Sequence, residues 1–109
     1  MTSGRPSPTA RRGERPMTRT IVTLGGLVQR VGFRFTVLRI ARRHAVAGTV
    51  RNLRAGERVE IDAEGADGVV DAFIDDALAH PPRGARVDSV ERRTAEPRGL
   101  RAFTEAPTA

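Results

Sequence analysis

Residues 57–63, Glu-Arg-Val-Glu-Ile-Asp-Ala, alternate polar and apolar without a break after Glu57-Arg58. A period of two puts Val59, Ile61 and Ala63 on one face of a strand and Arg58, Glu60 and Asp62 on the other. Such a strand has one buried face and one wet face, the mark of an antiparallel sheet covered on a single side. The cover must come from the two stretches of helical period. In the first, Phe33, Val37, Ile40, Ala41 and Ala45 form an apolar stripe, with Arg39, Arg42 and Arg43 on the solvated side. In the second, the stripe is Val69, Val70, Phe73, Ile74, Ala77 and Leu78; Asp67 is the expected N-cap, and Pro81-Pro82 stops the helix.

The remaining segments read as strands. Residues 20–28 form a β-type run with Val22 and Leu24 on one face, and residues 46–53 lead into a hairpin turn at Ala55-Gly56. Residues 86–95 form another, in which the three-residue spacing of Val87 and Val90 implies a bulge. A short strand around Ala102 to Thr104 closes the fold. The order β-α-β-β-α-β predicts an α+β, ferredoxin-like sandwich: an antiparallel sheet with two helices on one face and the other face open.

A length of 109 residues allows one domain, assigned to residues 18–109. Residues 1–17, with Pro6, Pro8, Gly13 and Pro16, read as a disordered basic tail, or as sequence ahead of a start at Met17. Four arginines against Glu14 give that tail half of the net charge of +6. All nineteen basic residues are arginine, a bias better explained by a GC-rich genome than by a nucleic-acid partner. No apolar run approaches the roughly 20 residues that span a bilayer, and no apolar stretch follows the N-terminal arginines as in a secretory signal. A cytoplasmic monomer, with neither membrane nor nucleic acid as partner, is expected.

Composition also narrows the chemistry. The absence of cysteine excludes thiol catalysis and thiolate metal sites, and two histidines are too few for an all-imidazole catalytic metal site. Neither metal nor cofactor is expected. His44 and His80 lie near helix ends, Asp71, Asp75 and Asp76 belong to the wet face of the second helix, and Arg92-Arg93 is solvated charge.

The informative segment is Gly26-Leu27-Val28-Gln29-Arg30-Val31-Gly32-Phe33-Arg34, at a strand-to-helix junction. Backbone N–H groups at a helix start have no intrahelical acceptor, and the helix dipole adds partial positive charge there. A loop running into them can cradle a phosphate, and Arg34 in the first turn can hold the same anion. By itself a glycine-bearing junction with one arginine is an ordinary connection.

The segment resembles the acylphosphatase motif G-x-V-Q-G-V-x-F-R. A second family element, the strand G-W-V-x-N, has its counterpart in Gly48-Thr49-Val50-Arg51-Asn52. The hairpin, the second helix and the stretch Pro81 to Val90 are similar too, so the resemblance spans about residues 19–104. It implies metal-free hydrolysis of a small-molecule acyl phosphate. Arg34 and the Gln29, Arg30, Val31, Gly32 and Phe33 loop would hold the phosphate, and Asn52 would hold the attacking water. Two departures stand out. Arg30 occupies a glycine position of the motif, and Thr49 replaces the aromatic residue of the strand element.

Three other readings compete. Arg30 motivates a catalytically weak relative that binds phosphorylated small molecules. An RNA-binding module shares the element order, but Thr20–Gly26 and Glu57–Ala63 offer no aromatic platform. A detached relative of the equivalent domain in larger carbamoyl-phosphate-using maturation enzymes lacks the cysteine zinc sites of those proteins.

Overall fold

The computed structural model describes residues 16–109. In chain order the elements are β1 (Met17–Leu27), α1 (Phe33–Ala41), β2 (Val46–Leu53), β3 (Arg58–Ala66), α2 (Val69–Ala79), β4 (Arg86–Ala95) and β5 (Phe103–Glu105). A single 3-10 turn at Ala55–Glu57 joins β2 to β3. The sheet order is β4-β1-β3-β2-β5. The ferredoxin-like order is present, and the first four strands of the chain pair antiparallel as the alternation requires. β5 adds a parallel pairing on β2, with Gly48 opposite Phe103 and Val50 opposite Glu105, so the sheet is mixed.

One core joins the sheet to both helices. Val22, Leu24, Val50, Val59, Ile61 and Ala63 face Phe33, Val37 and Ile40 of α1 and Val70, Phe73, Ile74 and Ala77 of α2, all buried. The bulge expected in β4 lies opposite Gly25-Gly26: Gly25 pairs with Ser89 and Gly26 with Val87, leaving Asp88 as the extra residue.

Four local expectations need correction. The stripe of α1 ends at Ala41, because Arg42, Arg43 and His44 bond three residues back, and Ala45 is exposed. Asp67 does not cap α2. Gly68 is the N-cap, at φ 87°, and Asp67 instead donates its N–H to the Pro16 carbonyl. β1 begins at Met17, three residues earlier than its apolar run, because Met17, Thr18 and Arg19 pair with Ala66, Gly65 and Glu64. The expected tail lies outside the described residues apart from Pro16 and Met17.

The fourth correction concerns the second face of the sheet, which is partly covered. The connection from β4 to β5 crosses it, and Asp62 and Glu64 are buried beneath at 5% and 1% exposure. Glu64 accepts from the backbone N–H groups of Arg98, Gly99 and Leu100, at 2.6 Å for Gly99. Asp62 accepts from Arg19 Nε at 2.9 Å and Nη2 at 2.8 Å, and lies 3.3 Å from Arg98 Nη2. A buried carboxylate is tolerated only when paired and hydrogen-bonded, and these donors meet that condition.

Candidate active site

The junction between β1 and α1 holds two left-handed residues. Gly32, the N-cap of α1, has φ 83°, a conformation that a glycine adopts without steric cost. Arg30 has φ 63°, which for an arginine costs about 1–2 kcal/mol. Between strand and helix, the N–H groups of Arg30 through Phe35 donate to no backbone carbonyl in any loop or cap bond among the described residues. α1 carries no acidic residue in its first turn to compete for those amides.

Asn52 arrives from the other side. It is two residues beyond the buried Val50, so its side chain points to the same, helix-covered side of the sheet. Arg34, in the first turn of α1, leans toward the helix N-terminus as helical side chains do. The two therefore meet. Arg34 and Asn52 line one cleft of about 210 Å³, together with Val28, Arg30, Gly32 and Phe33. Phe35, Leu38 and Glu105 complete its lining.

Of the residues proposed from sequence, Arg30, Gly32, Phe33, Arg34 and Asn52 are thus brought together. The other two lie elsewhere. Gln29 turns its amide away from the cleft and donates from Nε2 to the carbonyls of Leu53 and Arg58, both at 2.9 Å. That brackets the loop to the end of the β2–β3 hairpin, close to Asn52. Val31 is half-buried against the core.

Two features of the cleft escaped the sequence reading. Phe35 is 69% exposed, a large apolar side chain on the otherwise polar side of α1, and it borders the cleft. Its position off the apolar stripe was the available signal. Glu105 reaches Arg34, with Oε2 at 2.7 Å from Nη1 and the two side chains 48% and 37% exposed. It comes from β5, whose pairing beside β2 no local pattern announces. The chain beyond β5 stays on β2: Ala106 N–H donates to Val50, Ala109 N–H donates to Asn52, and Arg54 N–H donates to Ala109.

A cleft with an arginine, an amide side chain and, among the described residues, loop N–H groups without a backbone acceptor is suited to a small phosphorylated substrate. Comparison with known proteins agrees. The acylphosphatase family model matches residues 20–104. An acylphosphatase of Thermococcus kodakarensis is 47% identical over 78 residues, covering 72% of this chain and 84% of that protein. The crystal structure of acylphosphatase from Bacillus subtilis superposes with a TM-score of 0.74 at 29% identity, covering 82% of this chain and 98% of the other. Full-length HypF, in its phosphate- and nucleotide-bound form, gives a TM-score of 0.78 at 28% identity over 85% of this chain but only 12% of its own. The chain belongs to the acylphosphatase family, enzymes that hydrolyse acyl phosphates.

Proposed function

We propose that the cleft hydrolyses acyl phosphates by placement and charge alone, with Arg34 and the loop amides on the phosphoryl group and Asn52 on the water. The observation that carries this reading is the meeting of Arg34 and Asn52 in one cleft, from α1 and β2, beside the left-handed loop. An acyl phosphate is an activated anhydride, so its P–O bond needs little beyond orientation and stabilisation of equatorial charge. Water held by Asn52 attacks phosphorus, the bond to the acyl oxygen breaks, and the carboxylate leaves. The water's proton passes to a phosphate oxygen, which accounts for a lining with no imidazole. Asn52 both donates and accepts without titrating near neutrality. Gln29 fixes the spacing between loop and strand through its two carbonyl partners.

Metal-free, monomeric action on a small molecule remains part of the same proposal. The RNA-binding reading is disfavoured, because the connection over Glu64 occupies sheet surface that stacked bases would need.

The test is hydrolysis of benzoyl phosphate by purified protein, with concentration set by peptide-bond absorbance because Trp, Tyr and Cys are absent. Arg34→Ala is expected to lose phosphate affinity and to lower turnover by about 10²–10³-fold, the usual loss for a charge-stabilising donor. Activity should persist in excess EDTA. Loss with chelator, restored by a divalent ion, overturns the charge assignment.

A further inference from the structure

Glu105 is the one carboxylate lining the cleft among the described residues, and it lies on the arginine that the proposed chemistry gives to phosphate. A negative group at an anion subsite opposes its ligand, so its presence calls for a role. Strand geometry directs it there. Glu105 stands opposite Val50 in the parallel register and two residues from Phe103, which packs edge-on against Phe73 at 5.2 Å. Residues at that spacing share a face, so Glu105 points to the helix-covered side, toward Arg34.

Resting on the reading of Arg34 as the phosphate ligand, we propose that Glu105 sets the substrate affinity of the site. Its carboxylate occupies the place of the phosphate on Arg34 and is displaced when acyl phosphate binds. The backbone of β5 does not need this ion pair. It is held by Gly48 N–H on Ala102, Ala106 N–H on Val50 and the Phe103 contact. The side chain can therefore swing aside while the strand stays paired.

Magnitudes agree with displacement. An exposed ion pair favours its closed form by a factor of only about 1.4 to 5. A phosphate brings more negative charge and can also engage the loop amides, so it wins the arginine. The cost of displacement appears as a reduced apparent affinity, because only the fraction of molecules with Arg34 free is competent. Releasing Arg34 should tighten phosphate binding about two- to sixfold.

Inorganic phosphate is titrated into wild type, Glu105→Gln, Glu105→Ala and Arg34→Ala by ³¹P NMR at low and high salt. Thermal melts by circular dichroism confirm that each variant is folded, and KM and kcat are measured with benzoyl phosphate. Both Glu105 variants are expected to bind phosphate about two- to sixfold more tightly, with KM falling by a similar factor and kcat changing less. The gain should shrink at high salt, as an exposed pair is screened. If Arg34→Ala abolishes phosphate binding while the Glu105 variants bind equally or more weakly, Glu105 is a strut for Arg34 and the inference is overturned. If Arg34→Ala binds phosphate as wild type does, the phosphate reading falls, and this inference with it.

Discussion

Two loops of this protein set an arginine and a run of backbone amides beside a carboxylate, and they differ in how far that carboxylate is shut away. At residues 98–100, three successive N–H groups converge on Glu64, which is 1% exposed, with Arg98 Nε at 3.8 Å. At residues 30–34, Arg30, Gly32, Phe33 and Arg34 line a cleft, and the carboxylate on Arg34 comes from Glu105, nearly half exposed. The ingredients are alike: backbone amides, a left-handed residue and a guanidinium. Burial separates the two. A carboxylate enclosed by donors is a fastener for the connection over the sheet; one at an open rim is exchangeable for a ligand. Under the proposed function, the same backbone device serves the fold where it is enclosed and the substrate where it is open to solvent.

The largest test of this contrast is to empty the closed loop. Glu64→Ala leaves three amides without their buried acceptor and Arg98 with Asp62 alone, and should destabilise the fold by about 3 kcal/mol. Urea unfolding followed by circular dichroism measures it, and a loss below about 1 kcal/mol would mean that the buried carboxylate is not fastening the connection. At the open loop, Asn52→Ala should leave phosphate affinity in place while kcat falls about 10²-fold, since only water placement is removed. Full activity in that variant would show that Asn52 does not hold the water.

Smaller effects sharpen the comparison. Arg30→Gly removes the cost of a left-handed arginine and should raise stability by about 1–2 kcal/mol, with phosphate affinity and turnover rising together. A drop in both, largest at low salt, would instead make the Arg30 guanidinium a binding group. The smallest effect concerns a third carboxylate. Asp76 accepts from His44 Nε2 at 2.8 Å and lies 2.9 Å from His80 Nδ1, tying α2 to the turn after α1. The hydrogen bond from His44, aided by the charge of Arg43, holds its carboxyl below the ordinary aspartate range. Its stabilisation is therefore present above about pH 4 and lost as pH falls through the lowered folded value. In acid titrations followed by circular dichroism, Asp76→Asn should be less stable than wild type at pH 5 and converge with it at the acid end. A constant difference between the two would exclude this linkage.

The fold was legible wherever period alone decides it. The alternation of Val59, Ile61 and Ala63 and the stripe from Phe33 to Ile40 both follow from one buried face, and the three-residue gap between Val87 and Val90 marked the bulge at Asp88. Asp62 shows where that logic stops. It stands on the outward side as expected, yet it is buried, because residues some 35 positions later fold over it and bring Arg98. Asp67 failed as a cap because Gly68 could make the turn by itself in the left-handed region. Two contiguous motifs carried the cleft residues Arg34, Asn52, Arg30, Gly32 and Phe33, while Gln29 and Val31 of the same loop turn elsewhere. Glu105 was invisible for the same reason as Asp62: its place depends on which edge a distant strand selects, not on its neighbours in sequence.

The parallel run of β5 also gives the molecule a polarity useful at the bench. Pro16 meets Asp67 at one end of the sheet, whereas the chain at Ala109 lies against Asn52 and Arg54 at the other. A surface tether attached at Pro16 itself starts at the end of the sheet away from the cleft. The same tether joined after Ala109 emerges beside Asn52, where it can mask the mouth of the cleft and pull on the strand that carries Glu105. Orientation on a chip or resin is therefore a choice between an open site and a crowded one.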